Sequence, residues 1–239
     1  MKWVVASSVL IGSCLMAGNP PARVPVLLEL FTSEGCSSCP PADLLLRKFD
    51  RDQSIAGADL VVLSEHVDYW NQLGWADPFS APLYSQRQRE YAERLSGEVY
   101  TPELVVDGAK GLVGSDEREA VAAVRDTLRT PKAAIGVAAQ LADGKAKIGI
   151  HLDGAVDGDL YLALAHDAMS SQVLRGENRG RALSHVAVVY SFRKIAKIDR
   201  GAAFDRNVTV EVQGVKTRIV AFVAKAGSGR VVAIGQARL

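Results

Sequence analysis

Phe31-Thr32-Ser33-Glu34-Gly35-Cys36-Ser37-Ser38-Cys39-Pro40-Pro41-Ala42-Asp43 is the stretch on which the reading of this chain turns. An apolar run from Val26 to Phe31 leads into it, and a helix-like run from Asp43 to Phe49 leads out. Two cysteines with two small residues between them therefore sit where a strand turns into a helix. Backbone N–H groups at a helix start have no partner of their own, and the helix dipole is positive there. Both effects favour a thiolate at Cys36 over the thiol. The thiolate is the nucleophile of disulfide exchange, and Cys39 lies one helical turn on, within reach to resolve a mixed disulfide. The pattern reads as a dithiol/disulfide site. A structural disulfide, half of a metal site and two unrelated thiols are the alternatives that the spacing leaves open.

The chain has 239 residues, of which 48% are hydrophobic and 23% charged, with a formal net charge of +1. This is globular composition, long enough for one large domain or two smaller ones. A near-zero charge removes the electrostatic case for nucleic acid. No run in the body is long and apolar enough for a permanent membrane span. The N-terminus differs. Met1-Lys2 is a short basic start, Trp3 to Ala17 is almost uncharged, and Asn19-Pro20-Pro21 breaks the run. Residues 1–22 read as a secretory signal, which predicts a periplasmic or secreted protein. Ile11-Gly12-Ser13-Cys14 reads alternatively as a lipobox, with Cys14 carrying a lipid anchor. Cys14 belongs to the signal either way, so Cys36 and Cys39 are the cysteine pair of the exported chain. An oxidising compartment permits them to be a disulfide.

In chain order, Val26–Thr32 reads as a strand buried on both faces, interrupted by Glu29. A buried carboxyl needs a reason; Glu29 is read either as a proton acceptor near the cysteines or as a solvated edge residue. Pro40 and Pro41 fit the first turn of the following helix. Asp59–Ser64 is a second strand, parallel to the first through a right-handed crossover. It ends in His66-Val67-Asp68-Tyr69-Trp70-Asn71-Gln72-Leu73-Gly74-Trp75. Carboxyl ends of parallel strands share an edge, so His66 is placed beside Cys36, able to share a proton with a thiolate. Trp70 and Trp75 read as packing anchors. Pro82 opens a helix with Tyr84, Gln88, Tyr91 and Leu95 on one face. A proline-led strand follows at Tyr100-Thr101-Pro102, then a hairpin at Asp107-Gly108, then a helix capped by Ser115 and stopped at Thr130-Pro131.

This order is strand, CxxC helix, strand, helix, proline-led strand, hairpin strand, helix: the thioredoxin-fold order. Glu29 to Asp43, His66 to Trp70 with Gly74-Trp75, Gln86-Arg87-Gln88 with Tyr91, and Tyr100-Thr101-Pro102 resemble the secreted bacterial family known as domain of unknown function 1223. Arg175-Gly176-Glu177-Asn178 and Leu183-Ser184-His185-Val186 belong to the same likeness. The resemblance implies a thioredoxin-like fold and export, and no established reaction. By similarity to thioredoxin-like proteins in general, Cys36 matches the attacking thiol, Cys39 the resolving thiol and Pro102 the cis proline. Glu29 resembles the buried acid before the CxxC, one residue farther from it than in that pattern. The thioredoxin Trp-Cys-Gly-Pro-Cys is absent.

From residue 133 onward the chain changes character. Alternating runs at Ile135–Ala142, Ala146–Leu152, Leu160–His166, Val186–Ile198, Val208–Val212, Ile219–Ala224 and Val231–Ala237 predict short strands of a β-sandwich. The expected organisation is a signal at 1–22, a thioredoxin-like α/β domain at 23–132 and a mostly β, sandwich-like domain at 133–239. Arg175–Arg181 reads as a solvated connection, with a reach over the cysteine site or binding of an anionic group as the functional alternatives. His166 and His185 read as structural. The expected activity is thiol–disulfide exchange on a protein or small-thiol substrate, with no cofactor, no resident metal and no nucleic acid. Cys36, Cys39, Pro102, His66 and Glu29 are its expected site residues. Two other classes stay open. One is copper or zinc handling by Cys36, Cys39 and His66. The other is a non-enzymatic binding module in which the disulfide only holds the turn.

Overall fold

The computed structural model describes residues 23–95, 97–214 and 216–239. The expected signal at 1–22, with Cys14, lies outside the described residues.

Strand β1 (Val24–Thr32) is apolar on both faces because it runs through the middle of a sheet. Strand β2 (Ala58–His66) pairs with it in parallel, from Val24 opposite Ala58 to Thr32 opposite His66. Strand β3 (Glu103–Val106) pairs with its other edge in antiparallel sense, and β4 (Lys110–Val113) follows β3. Helix α1 (Pro40–Asp52) makes the crossover from β1 to β2. Its prolines stand at the first positions, where a missing N–H costs nothing. Gln53, left-handed at φ 46°, ends it. Ala42, Leu45, Leu46 and Phe49 form its buried face, and each large apolar side chain so buried contributes about 1.5–3 kcal/mol.

Helix α2 (Pro82–Leu95) carries Tyr84, Gln88 and Tyr91 inward as the spacing predicts. Helix α3 (Glu117–Thr127) is capped by Asp116, whose carboxylate accepts from the Glu119 N–H at 2.9 Å. The expected cap, Ser115, is one residue too early. A carboxylate at the cap gains both the hydrogen bond and the dipole.

The remaining strands are β5 (Ala133–Ala134), β6 (Gly136–Ala142), β7 (Lys145–Leu152), β8 (Gly158–Gln172), β9 (Ala182–Ile198), β10 (Phe204–Glu211), β11 (Thr217–Ala224) and β12 (Val231–Arg238). They do not stand apart. One nine-stranded sheet runs β4-β3-β1-β2-β9-β8-β11-β12-β5, joined across the middle where Ser64 of β2 meets Val188 of β9 in parallel. A three-stranded sheet, β10-β7-β6, packs on its C-terminal part, with Ile148, Ile150, Leu162, Leu164, Ile219 and Ala221 in the space between. That part is sandwich-like. The expected boundary between 132 and 133 is crossed by one of the two buried clusters, the other lying wholly within 133–239. Leu28, Leu63 and Phe49 share one buried cluster with Ala163, Val220 and Phe222. The chain is a mixed α/β protein built on one large sheet. No helix among the described residues is long and apolar enough to cross a membrane.

Candidate functional site

Cys36 and Cys39 are joined in a disulfide, with their Cα atoms 5.4 Å apart. Cys39 is the residue that caps α1, and its carbonyl accepts from the N–H groups of Ala42 and Asp43. Cys36 lies one turn earlier, its carbonyl taking the Cys39 N–H at 3.2 Å. Ser37 and Ser38, at the crest of the turn, face solvent. The cysteines themselves are 0% exposed.

Their cover comes from far along the chain. The β8–β9 hairpin extends past the sheet edge, and its connecting loop closes on the cysteine turn. Asn178, 1% exposed, donates one amide hydrogen bond to the Glu34 carbonyl and one to the Cys36 carbonyl, each at 2.9 Å. Its own carbonyl accepts from Arg181 Nη1. Glu177 accepts from the Ser37 N–H at 3.0 Å, and these hydrogen bonds with Ser37 hold its carboxyl below the usual range. Gly176 (φ +73°) and Gly74 (φ +108°) meet where the loop crosses the Trp75 segment. A Cβ on Gly176 would lie 3.2 Å from Trp75 Cβ, so only glycine fits both the conformation and the approach. The 175–181 segment is thus bound to the site, where the sequence reading favoured a solvated connection.

Beneath the turn lies a buried polar cluster. Glu34 carries three donors: His185 Nε2 at 3.1 Å, Trp75 Nε1 at 2.9 Å, and the Ser171 hydroxyl. Burial opposes its charge, but these hydrogen bonds win and hold its carboxyl below the ordinary range. His185 Nδ1 stands 3.4 Å from Asp43 Oδ1. Burial alone would push the imidazole down, yet hydrogen bonds to Asp43 and Glu34 raise it to about 9. His66 Nδ1 is 2.7 Å from Asp77 Oδ2, which also accepts from the Glu34 N–H. Burial works against the Asp77 carboxylate as well, and the His66 charge and these bonds keep its carboxyl low. The His66 and His185 rings meet edge to face at 4.6 Å.

The expected site residues do not all assemble. His66 belongs to the cluster beneath the cysteine turn, since its partner Asp77 also binds Glu34. Pro102, buried and cis, flanks Gly114 together with Ala42 of α1. A Cβ built on Gly114 would sit 3.1 Å from Ala42 Cβ and 3.3 Å from Pro102 Cβ. Trp70 links the two, with its Cβ against Gly35 and its Nε1 donating to Thr101 Oγ1 at 2.8 Å. Glu29 is elsewhere. Side chains alternate along a strand, so Glu29 points away from the Leu30 face that meets α1 and toward α2. There Arg87 Nε donates to it at 2.8 Å and the Tyr91 hydroxyl at 2.5 Å. Glu65 lies 3.6 Å from the same guanidinium, and burial pushes its carboxyl well above the usual range. This is an internal ion-pair cluster on the opposite face of the sheet, and it answers why Glu29 is buried without bringing it to the cysteines.

Sequence reasoning passed over Glu34, Asp43, Asp77, Ser171, Glu177, Asn178 and the role of His185. A usable signal existed for five of them: Glu34, Asp43, Glu177, Asn178 and His185 lie in the segments that carry the family likeness. Among the described residues, no three His, Cys, Asp or Glu side chains are placed to hold a metal ion.

The fold has a structural counterpart. The crystal structure of protein AGR_C_4864 from Agrobacterium tumefaciens is similar at 29% identity and a TM-score of 0.71, covering 92% of this chain and 96% of that one. A β-glucosidase from Kluyveromyces marxianus matches 45% of this chain and 14% of its own at 12% identity, with a TM-score of 0.24, too low to carry an argument. No curated protein matches the chain. The family model for the protein of unknown function DUF1223 matches residues 27–224, and the chain belongs to that family.

Proposed function

We propose that this protein is an exported, thioredoxin-like thiol–disulfide exchange protein acting through Cys36 and Cys39. The observation that carries the reading is the disulfide closed across a strand-to-helix turn whose middle residues, Ser37 and Ser38, face solvent. The strand order β4-β3-β1-β2, with β1 and β2 parallel and β3 antiparallel, supports a thioredoxin-like first half. Export rests on the basic-then-apolar start of the sequence.

In the oxidising direction, a substrate thiolate attacks Cys36 Sγ, the Cys36–Cys39 bond breaks, and Cys39 leaves as a thiolate. A second substrate thiolate then attacks the substrate sulfur of the mixed disulfide. The substrate leaves as a disulfide, and the Cys36/Cys39 pair keeps the two electrons as a dithiol. The reverse sequence reduces a substrate disulfide. Because both sulfurs are buried, the step requires the Asn178 loop to lift from the turn. His66 and the Glu34–His185 pair stand near enough to the turn to answer a change in its charge, whereas Glu29 has no part in it. The test is turnover of insulin or glutathione disulfide. Wild type is expected to turn over and Cys36→Ser to lose at least about a hundredfold; undiminished turnover by that variant refutes the assignment.

The complete burial of both cysteines favours a second reading, in which the disulfide is a staple for the turn. Resistance to strong dithiols in the folded protein, together with unchanged behaviour of a Cys36→Ser/Cys39→Ser variant, is what that reading expects.

A further inference from the structure

Both sulfurs of the cysteine turn are buried, yet their surroundings differ. Among the described residues, the Ser38 hydroxyl is the hydrogen-bond partner of Cys36 Sγ, at 3.3 Å, and Cys39 Sγ has none. A disulfide sulfur carries no hydrogen, so the hydroxyl is the donor. The two serines of the turn have separate tasks. Ser37 gives its N–H and its hydroxyl to Glu177 of the covering loop. Ser38, itself exposed, turns its hydroxyl back onto the sulfur. The Gly-Pro pair of the thioredoxin Trp-Cys-Gly-Pro-Cys has no hydroxyl to offer, so this contact belongs to the Cys36-Ser37-Ser38-Cys39 turn of this chain.

A hydroxyl bond to a neutral sulfur is weak, and it strengthens when the sulfur is charged. A thiolate without contact to water needs such a donor. The Glu177 carboxylate, at the Ser37 N–H, opposes charge on Cys36, and the start of α1 favours it. The other acids beneath the turn, Glu34, Asp43 and Asp77, have His185 and His66 as partners. The Ser38 hydroxyl is thus the contact that singles out Cys36 from Cys39.

We propose, on the reading of Cys36 and Cys39 as an exchanging pair, that Ser38 is a catalytic residue whose hydroxyl holds the negative charge on Cys36 Sγ. In the reducing direction, that charge belongs to the attacking Cys36 thiolate. In the oxidising direction, Cys36 leaves the mixed disulfide with the electron pair of the S–S bond, while the substrate sulfur closes onto the second substrate sulfur. The hydroxyl keeps its proton in both. The test is the pH profile of Cys36 alkylation in the reduced, folded protein, with the labelled cysteine identified by mass. Ser38→Ala should move the profile up by about one pH unit, the loss of one hydrogen bond to a charged group. Ser38→Thr keeps a hydroxyl there and Ser37→Ala removes the other one, so each should stay within about 0.3 unit of wild type. Ser38 is exposed, so its variants keep the fold, which circular dichroism checks. An unmoved profile in Ser38→Ala, an equal upward move in Ser37→Ala, or no rescue by Ser38→Thr overturns the proposal. Absent turnover of glutathione disulfide by wild type overturns the exchange reading and the proposal with it, a result that the profile alone does not produce.

Discussion

Asn178 spends both amide hydrogens on main-chain carbonyls of the cysteine turn. Asn178→Ala leaves two buried carbonyls with a bond fewer and loosens the loop above the disulfide. It should cost about 1–3 kcal/mol, and the folded variant's disulfide should be reduced by dithiothreitol about tenfold faster, followed by thiol alkylation. His185 makes a pH prediction. Its folded value, about 9, lies above the ordinary 6.5. A raised value means that the contribution to stability is fully present below about 6.5 and is lost as pH climbs through about 9. Glu34 works in the other sense. Its depressed carboxyl adds stability above the ordinary 4.5, which is lost on acidification. Urea denaturation should therefore show stability falling from pH 6.5 to 9 by about 3 kcal/mol at most, and His185→Gln should flatten that slope. An unchanged slope in the variant would place the dependence on other groups.

At the scale of elements, the first turn of α1 and the loop before β3 converge on Gly114, just after β4. A Cβ on Gly114 would stand 2.8 Å from Leu30 Cδ1, 3.1 Å from Ala42 Cβ and 3.3 Å from Pro102 Cβ. Gly114→Ala should push these apart and cost about 1–3 kcal/mol, visible as a lower urea midpoint; an unchanged midpoint would mean that the contact is slack. The pairing of β1 with β2 through α1 was legible because continuous apolar runs and a 3.6-residue stripe are strong local signals. Asp116 escaped as a cap because Ser115-Asp116 offers two good capping residues in a row. The loop over the cysteines escaped for a different reason. Arg175-Gly176-Glu177-Asn178 has the composition of any solvated turn, and its partners Ser37 and Cys36 are about 140 residues away. Ser170–Gln172 likewise looks too polar for a strand, yet it pairs with Ala182–Ser184. His185 shows the period-two logic in retrospect: Leu183, His185 and Ala187 are the buried alternate positions of β9.

At the scale of the whole molecule, α1 is tied to the C-terminal strands. Arg218, 1% exposed, donates to both oxygens of Asp50 on α1 and to Asp167 on β8. Arg218→Ala takes both bonds from Asp50 and leaves Asp167 with Arg238 at 3.6 Å, and should cost about 1–3 kcal/mol in urea denaturation, without splitting the transition. A fragment covering 23–132 alone exposes the edge of β2 and lacks nine of the thirty buried residues of the shared cluster, so it should not fold cooperatively; a sharp unfolding transition for that fragment would favour two independent domains. The account rests finally on a disulfide that can be opened without undoing the fold. Its most direct test is a redox titration of the folded protein in dithiothreitol buffers, reading Cys36/Cys39 thiols by alkylation and the fold by circular dichroism. The account predicts a reversible two-electron transition above about −300 mV with the fold intact; reduction only below that potential, or only together with unfolding, would contradict it.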